Sequence, residues 1–153
     1  MQRLETLIPP PVVTLAIMGL MAVSTLKSWP SYADNSTRLI IAAIIAALAI
    51  AIMLAGVWEF ARARTTVNPM HPERASNLVT SGIFRFTRNP MYLGDCLLLV
   101  AWTLFFGDGF LVLGVFALAQ YLTQFQIEPE ERQMRKNFGA AYEDYCSQVR
   151  RWL

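Results

Sequence analysis

Two stretches hold side chains suited to chemistry: RFTRNPMYLGD at residues 85–95 and IEPEERQMRKNFGAAYEDY at residues 127–145. In the first, Asn89 is a favoured helix N-cap and Pro90 is preorganised for the first helical position. Arg85 and Arg88 therefore stand just outside a helix N-terminus, whose free N–H groups attract anions, and they suit either a bound carboxylate or phosphate or an anionic head group at a membrane surface. Asp95 follows a turn and a half into an apolar run. An ionisable residue there marks a site or a buried partner, with Arg88 and Arg85 as the candidate partners. Glu59 ends another apolar run beside Trp58, where it can snorkel to the interface.

In the second stretch Glu128 precedes Pro129 at what reads as a helix start, with Glu130 and Glu131 in its first turn, where acids also favour the helix dipole. Met134, Phe138, Ala141, Tyr142, Tyr145, Val149 and Trp152 then recur at helical steps. That spacing predicts an amphipathic helix over 130–152, lying on the membrane or folded over the first stretch. Cations, acids and aromatics beside a helix N-terminus suit a zwitterionic, partly aromatic cofactor with a positive centre. Two separated cysteines, Cys96 and Cys146, and one histidine make neither a zinc nor a haem site, so no metal is expected.

The elements that must position these residues follow from composition. With 153 residues, 55% apolar and 16% charged, the chain is one domain and too oily for an ordinary soluble fold. Four apolar stretches, roughly 8–29, 39–60, 91–106 and 109–126, read as transmembrane helices. Three prolines, Pro9, Pro10 and Pro11, stand where the apolar region of a cleaved signal would begin, so the first stretch is expected to stay as a helix. The fold class expected is an all-α integral membrane protein with four spans, a cytoplasmic loop over 61–90 and a cytoplasmic C-terminal helix.

Eleven of the thirteen basic residues fall on one side of such a bundle: Arg3, Arg62, Arg64, Arg74, Arg85, Arg88, Arg132, Arg135, Lys136, Arg150 and Arg151, against Lys27 and Arg38. The positive-inside rule makes that side, with both termini, cytoplasmic. A net charge of +2, dispersed among acids, implies no nucleic-acid partner. In the second span Ala43, Ala47, Ala51 and Ala55 recur every fourth residue, a small-residue face for helix packing within or between chains. Leu78, Val79, Ile83, Phe84 and Phe86 predict an ordered end to the loop that begins with NPMHP at 68–72.

Between the third and fourth spans stand only Gly107, Asp108 and Gly109, which predicts a tight helical hairpin. Counting about 17 residues either way from that turn brings Pro90 and Gln126 to the same end. The two chemically rich stretches are therefore expected to meet, at a mouth set slightly inside the cytoplasmic leaflet because each arm rises only about 25 Å.

LVTSGIFRFTRNPMYLG at 78–94, followed after the hairpin by EPEERQMRKNFGAAYEDYCSQVRRW at 128–152, resembles the isoprenylcysteine carboxyl methyltransferase family and its relatives, the phospholipid N-methyltransferases. The likeness covers about half of the chain and rests on the ordered set of motifs. It implies an integral-membrane methyltransferase that uses S-adenosylmethionine at the cytosolic helix ends, with a lipophilic acceptor arriving through the bilayer. Matching positions are Gly82, Arg85, Arg88, Asn89, Pro90, Tyr92 and Gly94, with Met91 inside the motif, and then Glu130 and Glu131. The resemblance implies Arg88 and the helix start for the methionine carboxylate, an acid for its ammonium and Tyr92 near the adenosine or sulfonium. Many relatives carry His at the position of Asn89, and asparagine does not titrate near neutral pH. A carboxylate acceptor needs no base, whereas an amine or thiol would turn to Asp95, Glu59 or a tyrosine. Two other classes share parts of the pattern: a membrane reductase using NADPH, and a non-catalytic four-helix transporter or assembly subunit with Glu59 or Asp95 as its intramembrane charge.

Overall fold

The computed structural model describes residues 8–25, 36–64 and 77–153. The residues Arg3, Lys27 and Arg74, the end of the first apolar stretch and the NPMHP segment lie outside the described residues. Six α-helices follow one another: α1 Pro10–Thr25, α2 Ser36–Arg62, α3 Pro90–Phe106, α4 Val112–Leu122, α5 Glu128–Phe138 and α6 Ala140–Gln148. No strand occurs among the described residues.

The central element is α3, with α2 packed along one side and α1 and α4 along the other. Met21, Tyr92, Leu99, Phe106, Leu111, Leu118, Leu122 and Ile127 form one buried cluster between α1, α3 and α4. Trp102 of α3 fastens that side by donating its indole N–H to the Met18 carbonyl of α1 at 3.0 Å. At the α2–α3 crossing the helices approach closely because Gly94 has no side chain: a Cβ there would lie 2.2 Å from Met53 Cγ and 3.0 Å from the Ala49 carbonyl. The small-residue face that packs is Ala42, Ala49 and Gly56, while Ala43, Ala47 and Ala51 are exposed and Ala55 is half-buried. At about 100° per residue a four-residue step drifts some 40° around the helix, whereas a seven-residue step drifts only about 20°, so the seven-residue series stays on a nearly straight partner.

The hairpin forms as its sequence predicts. Gly107 ends α3 in the left-handed conformation (φ 73°), its N–H donating to the Thr103 carbonyl at 2.9 Å, and the Asp108 side chain accepts from the Phe110 N–H at 2.9 Å. Beyond it the chain departs from the expected helix start at Pro129. The fourth helix runs on through a π-helical turn, Thr123–Ile127, directly into α5, with the Glu128 N–H reaching back five residues to the Thr123 carbonyl. Proline cannot donate to the carbonyl four residues back and its ring collides with it, and one widened turn relieves both problems without stopping the helix. The expected single helix over 130–152 is instead two helices broken at Gly139 (φ 51°, ψ −125°), followed by an extended segment from Val149 (φ −125°, ψ 130°).

Two helices, Ser36–Arg62 and the continuous rod Gly109–Phe138, are long and apolar enough to cross a membrane, while Pro10–Thr25 and Pro90–Phe106 are shorter apolar helices. Their outer faces carry Leu15, Leu20, Ile40, Ile44, Leu48, Leu54, Leu113 and Phe116, all exposed. A continuous apolar exterior of this kind is ordinary against lipid and foreign to water.

Candidate functional site

The approach to α3 is fixed first. Ser81 Oγ donates to Glu59 Oε2 at 2.5 Å, and Gly82, with φ 57°, presses so close that a Cβ would sit 2.3 Å from Glu59 Oε1. Glu59 is therefore buried as the anchor of this turn and does not snorkel to the surface. The following 3-10 turn, Gly82–Arg85, buries Phe84 edge-on against Phe60 at 5.1 Å. The Tyr145 hydroxyl of α6 donates to the Phe84 carbonyl at 2.7 Å. Burial pushes the Tyr145 phenol well above its ordinary pKa against the opposing pull of Arg88, which keeps it a donor.

Held in this way, the start of α3 meets α5. Arg88 Nη2 donates to Glu131 Oε1 at 2.8 Å, and the Tyr92 hydroxyl donates to Glu130 Oε1. The two chemically rich stretches do converge at the open end of the hairpin. A third partner joins them: Arg151, from the extended segment after α6, donates through Nε to Glu131 Oε1 at 3.0 Å and through Nη2 to Glu131 Oε2 at 2.8 Å. The same segment is bonded to the helix start by its backbone. The Arg88 N–H donates to the Arg150 carbonyl at 3.1 Å, and the Arg151 carbonyl accepts from Asn89 Nδ2 at 2.9 Å and Thr87 Oγ1 at 3.3 Å. The Glu131 hydrogen bonds hold the Arg151 guanidinium above its ordinary pKa despite partial burial. Burial, then the Glu131 charge, pushes the Tyr142 phenol up as well. Arg88 Nε is buried with no hydrogen-bond partner.

Of the residues singled out by sequence, Arg88, Asn89, Pro90, Tyr92, Glu130 and Glu131 come together here, and Gly82 shapes the approach. Arg85 is exposed at the end of the 3-10 turn. Met91 and Gly94 turn toward α2, against Gly56 and Met53 respectively, so their part is helix packing. Asp95 is buried and meets the Thr14 hydroxyl of α1, not Arg88 or Arg85, because by that turn α3 has rotated it toward α1. Asn89 precedes α3 but makes no side-chain cap, its amide being spent on the Arg151 carbonyl. Arg151, Thr87 and Tyr145 went unmarked as site residues. The signal available for the first was a pair of arginines beside an interfacial tryptophan, which charge counting absorbs into topology.

The arrangement can bind opposite charges side by side. Glu131 is shared by two guanidiniums, whereas Glu130 is held by a neutral phenol and keeps acceptor capacity for a cation. Arg88 keeps a buried donor for an anion. Among the described residues no group of three or more histidines, cysteines or acids could hold a metal ion.

A family profile described as "Phospholipid methyltransferase" matches residues 37–141, which takes in α2, the hairpin and most of the mouth. An uncharacterized protein of Haemophilus influenzae is 44% identical over 63 residues, 41% of this chain and the whole of that relative. No solved structure matches the chain.

Proposed function

The chain belongs to the phospholipid methyltransferase family, and on that premise we propose an integral-membrane methyltransferase that takes S-adenosylmethionine at the mouth formed by α3 and α5 and methylates a lipophilic acceptor. The observation that carries this reading is the unpartnered, buried Arg88 Nε beside the α3 N-terminus, one turn from the Tyr92–Glu130 pair. The site so made has a donor for a carboxylate, an acid for an ammonium and an aromatic face between them.

When bound, the cofactor supplies an activated methyl group on a sulfonium. The residues around it bind and orient. Arg88 and the first N–H groups of α3 receive the carboxylate. Glu130, the less committed of the two acids, receives the ammonium. Tyr92 is held by Glu130 with its ring toward the cofactor. Catalysis then rests on positioning and on a site closed to water, since direct transfer to a nucleophile needs no covalent enzyme intermediate. In this reading four helices, α1, α2, α3 and the rod from Gly109, cross the bilayer, the mouth faces the cytoplasm with most of the basic residues, and α5 and α6 lie at that surface. The acceptor enters laterally from the lipid.

The test is calorimetric titration of detergent-purified protein with S-adenosylhomocysteine, with NADPH as comparator and with Arg88→Ala and Glu130→Gln as variants. Saturable binding lost or sharply weakened in both variants is expected. Binding of NADPH alone would move the chain to the reductases. Binding of neither ligand by a folded sample would return it to a non-catalytic membrane protein.

A further inference from the structure

We infer that Arg151 is a positioning residue of this mouth, one that sets how much of Arg88 is available to an anion; the inference rests on the methyltransferase reading above. Glu131 is 4% exposed and Arg88 has a side-chain exposure of 12%, so their pair lies largely out of water. A buried carboxylate facing one guanidinium takes up its fork in the bidentate manner, with two parallel N–H···O bonds. Here the bidentate place is taken. Arg151 grips both Glu131 oxygens, at 3.0 and 2.8 Å, and Arg88 contributes a single bond through Nη2 at 2.8 Å. Arg88 Nε is left buried and unbonded. The other charges near the pair are Arg135 of α5, 3.9 Å from Glu131, and Glu128, 3.8 Å from Arg151; all three are at least a third exposed and more screened.

The charge balance points the same way. Two guanidiniums share one buried carboxylate, so the cluster keeps a positive excess beside the N-terminus of α3, as a carboxylate ligand requires. Without Arg151 the Glu131 carboxylate is free to turn onto Arg88, close the fork and neutralise it. The side chain and the backbone of Arg151 have separable parts. Its carbonyl, with that of Arg150, fastens the segment to Arg88, Asn89 and Thr87 through bonds that do not involve the guanidinium. Removing the guanidinium therefore leaves the strap tied.

The experiment compares S-adenosylhomocysteine with 5′-methylthioadenosine, which keeps the nucleoside and lacks the amino-acid end, on the wild type, Arg151→Ala and Arg151→Lys by calorimetric titration in detergent. Arg151→Ala is expected to weaken S-adenosylhomocysteine by roughly tenfold or more while changing methylthioadenosine by less than about twofold, the size expected for losing a charge-assisted contact at one end of the ligand. Arg151→Lys, which keeps the charge without the fork, is expected to recover part of the loss. Unchanged S-adenosylhomocysteine affinity in Arg151→Ala overturns the inference, and so does an equal loss of both ligands, which a merely structural role produces. Should Arg151→Ala not fold by circular dichroism, the same comparison on Arg151→Lys decides. A wild type that binds neither ligand brings down the methyltransferase reading itself, whereas binding by the wild type with indifferent variants brings down the Arg151 inference alone.

Discussion

At the level of single residues, the two neighbouring glutamates of α5 have different work because they have different partners. Glu131 neutralises buried arginines, so Glu131→Gln leaves guanidiniums short of a counter-charge and is expected to cost about 3 kcal/mol of stability, read as a lower Tm in detergent. Glu130→Gln keeps an acceptor for the Tyr92 hydroxyl and is expected to change Tm by less than about 1 kcal/mol equivalent while weakening S-adenosylhomocysteine. A reversal of that order would exchange the roles assigned to them. Tyr145 offers a third check. Tyr145→Phe strands the Phe84 carbonyl and is expected to cost about 1 kcal/mol. Because burial raises the native phenol pKa, its stabilisation is complete below about pH 10, the unfolded tyrosine value, and is lost as pH climbs toward the higher native value. Stability profiles above pH 10 should therefore fall less steeply in Tyr145→Phe than in the wild type.

At the level of elements, the hairpin was legible because its determinants are local: Gly107 and Gly109 permit the turn, Asp108 caps it, and arm length alone fixes which residues share the far end. The meeting of Arg88 with Glu131, 43 residues apart, followed from that count. What sequence periodicity could not supply depends on partners. A proline with acids after it signals a helix start in isolation, and only the continuous packing of α4 and α5 turns it into a π-helical step. A four-residue alanine ladder looks like a packing face until a straight neighbour selects the seven-residue one. The strap carrying Arg151 has no periodicity to read, since its bonds are made by backbone carbonyls. The α2–α3 crossing gives the element-scale prediction: Gly94→Val brings side-chain atoms against Met53 and the Ala49 carbonyl. It is expected to cost about 1–3 kcal/mol and, by lifting the start of α3 away from Glu59, to weaken S-adenosylhomocysteine as well. Undiminished stability and binding would show that the close approach is not needed.

At the level of the whole molecule, the exposed faces of α1, α2 and α4 are more apolar than much of the interior, and lipid is the solvent that makes this arrangement stable. The protein is expected to stay with membranes through alkaline carbonate washing. A double Ile44→Arg, Leu48→Arg substitution, each charge costing about 3 kcal/mol at mid-span, should release it or abolish its accumulation; retention of a folded, membrane-bound double variant would argue against α2 as a span. The tight turn at Gly107–Gly109 has a further consequence. It is the covalent link between the helix that carries Arg88 and Tyr92 and the rod that carries Glu130 and Glu131, and it lies at the opposite end from both. Opened at Asp108, the chain becomes two membrane fragments, each holding half of the charges and neither a binding site. Co-expressed, the halves would regain ligand binding only by finding each other within the bilayer, and the recovered signal would report their encounter.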